Sequence, residues 1–137
     1  MRFSYSVLIL LLVACSLPRS EYVDVSHEQR FQGLLGVPRI TKSDLLLLGI
    51  DSYPSKNQIS YFMLMPRPGF EGPEVLSRSS LPSGSVVRIV GVESCTNCGS
   101  KSNRFVLEVE GMDRIEPVYL RVDFANELVE HNQTGGQ

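Results

Sequence analysis

The sequence predicts a mainly β domain, a small antiparallel barrel preceded by a short N-terminal helix. Three observations carry that expectation. "FVLEVE" (Phe105 to Glu110) and "VYLRVDF" (Val118 to Phe124) alternate apolar and polar residues, the period of a half-buried strand. Short apolar runs recur between clusters of Gly, Pro, Ser, Asn and Asp, too brief for helices. Five or six such strands in roughly ninety residues must hide their edges, and closure into a barrel does so. A hydrophobic share of 42% with 20% charged residues suits one globular domain. The formal charge of −2 offers no basic surface for nucleic acid.

The chain opens "MRFSYSVLILLLVAC": one positive charge at Arg2, a polar interval, then the apolar run Val7 to Ala14. That run is far shorter than the roughly 20 residues a spanning helix needs. A positive start followed by such a run has the plan of a secretory signal peptide. A buried N-terminal core helix is the plainer alternative. Leu12-Val13-Ala14-Cys15 then resembles the lipobox of bacterial lipoproteins. The resemblance implies cleavage before Cys15, a diacylglycerol on its thiol and an acyl chain on its new amino group. Ser16, directly after the cysteine, implies an outer-membrane address with the domain facing the periplasm. A single acyl chain holds only reversibly, whereas several on one residue anchor for good.

On this reading residues 1–14 are a signal peptide, 15–25 a lipidated cysteine and tether, 26–130 one small β-barrel domain, and 131–137 a disordered tail. The tether reads "SLPRSEYVDV" after Cys15. Ser26 to Leu35 predicts the short helix: Ser26 and Gln29 fit a capping box, Phe31, Leu34 and Leu35 share a face, and Gly36 can end it. Leu45 to Ile50, "LLLLGI", and Ile59 to Met65, "ISYFMLM", predict strands, the second stopped by Pro66. Val86 to Val92, "VVRIVGV", is apolar on both faces apart from Arg88, which predicts a central strand with a bulge at Gly91. The two alternating runs follow it through short links, as in a meander. In the second, Tyr119 and Arg121 are expected to face outward, with Arg121 opposite Glu108 or Glu110. "LPSGSVVRIVGV" (Leu81 to Val92) resembles the strand entry of bacterial SH3-like barrels, in which a turn glycine precedes a curved strand. The Trp and the closing Gly-Trp-Val of those cell-wall modules are missing, so their ligands are not carried over. An OB-like barrel or a small sandwich is the alternative.

The three cysteines divide by place. With Cys15 taken by lipid, Cys95 and Cys98 of "SCTNCGS" are left as a pair in an oxidising compartment. Positions i and i+3 of a β-turn come close enough to bond, so a structural disulfide at a hairpin end is expected. A redox couple is a second reading, but the residues that follow lack the helix that would lower a thiol pKa. A metal site is a third; tetrahedral zinc wants four ligands, and beyond the pair only His27 and His131 are on offer. No metal or other cofactor is expected beyond the covalent lipid.

Catalytic motifs are scarce: no nucleophile elbow, phosphate loop or HExxH is present. Asp24, Ser26 and His27 are neighbours in sequence, which says nothing about a triad's geometry. Glu71 and Glu74, or Glu108 and Glu110, read as solvated faces. The loop "PRPGFEGPE" (Pro66 to Glu74) combines fixed and permissive backbone positions. It is the candidate partner contact through Arg67, Phe70 and Glu71, with a crossover that folds Phe70 back onto the barrel as the plainer reading. The expected function is a lipid-anchored, non-catalytic envelope module that binds an envelope protein or glycan. A thiol–disulfide protein using Cys95 and Cys98 is the alternative.

Overall fold

The computed structural model describes residues 19–53 and 56–131. Cys15, the signal region and residues 132–137 of the expected tail lie outside the described residues. Nine strands form among the described residues: β1 (Tyr22–Asp24), β2 (Pro38–Thr41), β3 (Leu45–Ile50), β4 (Tyr61–Met65), β5 (Val75–Leu81), β6 (Val86–Cys95), β7 (Asn103–Val109), β8 (Val118–Arg121) and β9 (Leu128–Glu130). They join in one sheet in the order β5-β3-β4-β8-β7-β6-β2-β9, with β1 paired to β6 off that path. Every pairing is antiparallel except that of β4 with β8. The meander β6-β7-β8 is as the sequence predicts, and β6 is central.

The path does not close, so the expected closed barrel is replaced by an open, bent sheet with β5 and β9 at its ends. The reason is visible in the register. β2 and β3 are successive pieces of one strand, β5 and β6 of another, and the pairing from Pro38↔Arg88 resumes unshifted at Leu45↔Leu81. Both strands break at the same point, around Thr41 and Pro82–Ser85. There the Thr41 hydroxyl donates to the Pro82 carbonyl at 2.9 Å and accepts from the Ser85 N–H at 3.1 Å. Beyond that break β5 pairs only with β3, and at the other end of the path β9 pairs only with β2.

The predicted helix is a single 3-10 turn, Gln29–Phe31. Ser26, expected to cap it, accepts a hydrogen bond from the Val92 N–H at 2.8 Å instead and so holds the β6 bulge. Gly36 takes φ +74°, and Leu35 leaves the turn to bridge Ile89. The turn is fixed by Phe31, which is buried in the core. Part of the expected tether is strand as well: β1 docks on β6, and Val25 is buried.

The main core draws on β3 through β9: Leu45 and Leu47 meet Phe62, Leu64, Val87, Ile89, Phe105, Leu107, Leu120 and Leu128. β3 is buried along its whole length because its other face carries a second cluster. There Leu46, Leu48 and Ile50 pack against Tyr61, Met63, Met65, Phe70 and Val75. This is why "LLLLGI" shows no alternation. Gly49 leaves no room for a side chain: an added Cβ would stand 2.3 Å from Ser77 Oγ. The last alternating run ends early: Val122–Glu127 forms 3-10 structure, though Val122 and Phe124 still pack on the core. Arg121 faces Arg104 across β7 and β8 rather than a glutamate, and it pairs with Asp123.

Candidate functional site

The outer face of the sheet carries a cluster that crosses five strands, β1, β6, β7, β8 and β4. β7 alternates, so Phe105 and Leu107 point inward and Arg104 outward. Glu93 is its direct cross-strand neighbour on β6, and Arg104 places Nε and Nη2 at 2.8 and 2.7 Å from one Glu93 oxygen. The guanidinium lies 3.5 Å from the Tyr22 ring centre on β1 and 3.6 Å from that of Tyr119 on β8. Tyr119 in turn meets Tyr61 of β4 edge to face at 5.5 Å. Burial pushes the hydroxyls of Tyr61 and Tyr119 above their ordinary pKa of 10.0, while the Arg104 charge pulls back. Both phenols are therefore neutral donors at physiological pH.

Arg104 and the three tyrosines line a cleft of about 410 Å³, completed by Arg19, Ser20, Ser52, Ser60 and Pro117. Its walls are aromatic, from Tyr22, Tyr61 and Tyr119, and its rim carries the hydroxyls of Ser20, Ser52 and Ser60. Among the described residues that line it, no base stands beside a nucleophile. Among the described residues no group of three or more His, Cys, Asp or Glu is placed to hold a metal ion.

The other residues singled out in the sequence are spread apart. Cys95 and Cys98 form a disulfide with Cα atoms 5.6 Å apart, at the end of β6. The turn they close grips the N-terminal segment. The Asn97 side chain accepts from the Glu21 N–H at 2.7 Å and donates to the Arg19 carbonyl, and the Thr96 N–H donates to the Glu21 carbonyl at 2.8 Å. The Pro66–Glu74 loop folds onto the second apolar cluster. Phe70 is half-buried there, while Arg67 and Glu71 are exposed. Arg78 of β5 clamps the loop, donating to the Pro68 and Phe70 carbonyls at 3.2 and 2.6 Å. Hydrogen bonding to the Ser26 side chain first, and then to the Ser26 N–H, which donates to Asp24 at 2.8 Å, holds the Asp24 carboxyl below the usual range. With Ser26 engaged at Val92, these two brace the chain and form no triad.

Sequence reasoning missed the tyrosine–arginine cluster. The alternation of β8 points Tyr119 and Arg121 outward, but nothing local joins Tyr22, Tyr61 and Arg104 to them. Only the β1–β6 and β4–β8 pairings do so. No family model matches the chain, and comparisons with curated proteins and with solved structures return no match.

Proposed function

We propose that this chain is a lipid-anchored cell-envelope protein, acylated at Cys15, and that it works as a non-catalytic binding module through the cleft of Tyr22, Tyr61 and Tyr119. One observation carries the reading of the cleft. Arg104 is held on both sides by rings and by Glu93, so the aromatic walls are ordered before any partner arrives. Walls already ordered lose little entropy on binding, and hydroxyl-rimmed aromatic faces suit an extended glycan or peptide. The anchor reading is supported by the lipobox resemblance at Leu12 to Cys15 and by the oxidised Cys95–Cys98 pair, which belongs to an exported compartment. We also read the bent sheet as a variant of the SH3-like barrel. Gly84 at φ +80° precedes β6, and the bulge between Ile89 and Gly91 curves that strand.

Two measurements test the proposal. The intact mass of the membrane-extracted protein is expected to lack residues 1–14 and to carry fatty acyl chains. A species that keeps those residues, or has no acyl chain, removes the anchor. Tyr22→Ser and Tyr61→Ser are each expected to weaken co-sedimentation with purified peptidoglycan or capture of solubilised envelope protein. Unchanged capture of both by the two folded variants excludes the cleft.

A further inference from the structure

We propose that the face formed by Arg19, Tyr53 and Lys56 rests on the bilayer surface, with the phosphate headgroups of anionic membrane lipids as its partner. The inference rests on the lipidation of Cys15 put forward above.

Chain length sets the geometry. Four residue steps separate Cys15 from Arg19, and at 3.3 to 3.6 Å each they reach about 14 Å at most. Arg19 is not the loose end of a tether, because Asn97 and Thr96 fix the Arg19–Glu21 segment and β1 continues that attachment along β6. An acyl anchor on Cys15 would thus hold this end of the folded domain within about 14 Å of the lipid, with no slack for a freely swinging domain. The headgroup layer on each side of a bilayer is roughly 5 to 7 Å deep, so Arg19 reaches it easily.

The fold places suitable chemistry at that point. The Arg19 guanidinium lies 3.7 Å from the Tyr53 ring centre and donates to the Tyr53 hydroxyl, and the Lys56 ammonium lies 4.6 Å from the same ring. All three residues are exposed. A tyrosine at headgroup depth with cations beside it is the composition found at membrane interfaces, where the ring sits in the boundary layer and the charges meet phosphate. Two cations are too few to attach a protein, but they suffice to orient one already tethered, since the short link keeps their local concentration high. Glu21 is the opposing charge on the same segment, and its backbone is turned to the Asn97 turn. The tyrosine cleft, which shares Arg19 at its rim, then opens alongside the bilayer.

The chain has no Trp, so a single substitution provides a unique fluorescent reporter. Tyr53→Trp keeps an aromatic partner for both cations. Ser83→Trp serves as the distant control, because Ser83 lies beside Asp44 at the opposite end of β3, roughly 17 to 20 Å away. Each full-length acylated variant is placed in vesicles of phosphatidylethanolamine and phosphatidylglycerol containing a headgroup nitroxide. The Tyr53→Trp reporter is expected to be quenched severalfold more strongly than the Ser83→Trp reporter, and adding Arg19→Gln with Lys56→Gln should erase most of that difference. Lys56→Trp replaces Tyr53→Trp if the latter does not fold. Equal quenching of the two reporters in an acylated protein overturns the docking while leaving the anchor intact. A mass without acyl chains in the same sample overturns both. Quenching of the Tyr53→Trp reporter that ignores the phosphatidylglycerol content overturns the assignment to anionic headgroups.

Discussion

Arg104 shows how one side chain can order a surface. Its charge is shared between a carboxylate and two rings, and its own side chain and that of Glu93 keep only 14% and 25% of their exposure. Cation–π contacts with this little water contribute about 1 to 2 kcal/mol each, and the ion pair adds to them. Arg104→Met keeps the apolar stem and discards the rest, so it is expected to lower the unfolding free energy in urea by about 2 to 3 kcal/mol. Arg104→Lys retains the charge but not the planar fork, and should lose about half as much. Full stability in the lysine variant would show that the stacked geometry contributes nothing.

At the scale of elements, the Pro66–Glu74 loop behaves as a cover on β3 and β4. Phe70 packs over the apolar face of Leu46, Leu48 and Ile50, and Arg78 fastens the loop backbone. Phe70→Ala is therefore expected to cost about 2 kcal/mol in unfolding free energy, below the roughly 3 to 5 of a fully enclosed phenylalanine. Loss of partner capture with stability unchanged would return Phe70 to the role of an exposed contact. β3, β4, β6, β7 and β8 are legible in the sequence because each carries a run whose apolar residues decide its pairing. β1, β2, β5 and β9 are not. "YVD", "PRIT", "VLSRSSL" and "LVE" are short or polar: β1 and β2 take their ladder from β6, β5 from β3, and β9 in turn from β2. The expected helix fails for a related reason: the same Ser26 hydroxyl that would cap it is claimed by Val92, sixty-six positions away in sequence. A local pattern cannot report a distant acceptor or donor. The cluster of Tyr22, Tyr61 and Arg104 is hidden for that reason too, since its members come from three separate strands.

For the molecule as a whole, the buried phenols set an alkaline limit. Burial raises the pKa of Tyr61 and Tyr119 in the folded state above 10.0, so the folded protein holds those protons more tightly than the unfolded chain does. Their contribution is complete below about pH 10 and is lost as the pH rises through the folded-state values. The melting temperature is expected to fall above about pH 10 together with the ultraviolet signal of tyrosinate. A melting temperature that stays flat through that range would mean the two rings are as open to water as in the unfolded chain.

The pairing of β2 with β9 governs timing as well as shape. Arg39 and Glu130 stand opposite each other although roughly ninety residues of chain lie between them. A ribosome delivers the amino end first, so Ile40 is synthesised long before Val129 and has nothing to bond on that side. Leu128 also seals the main core. The growing polypeptide thus carries β2 with an unfinished edge until Leu128–Glu130 has been made.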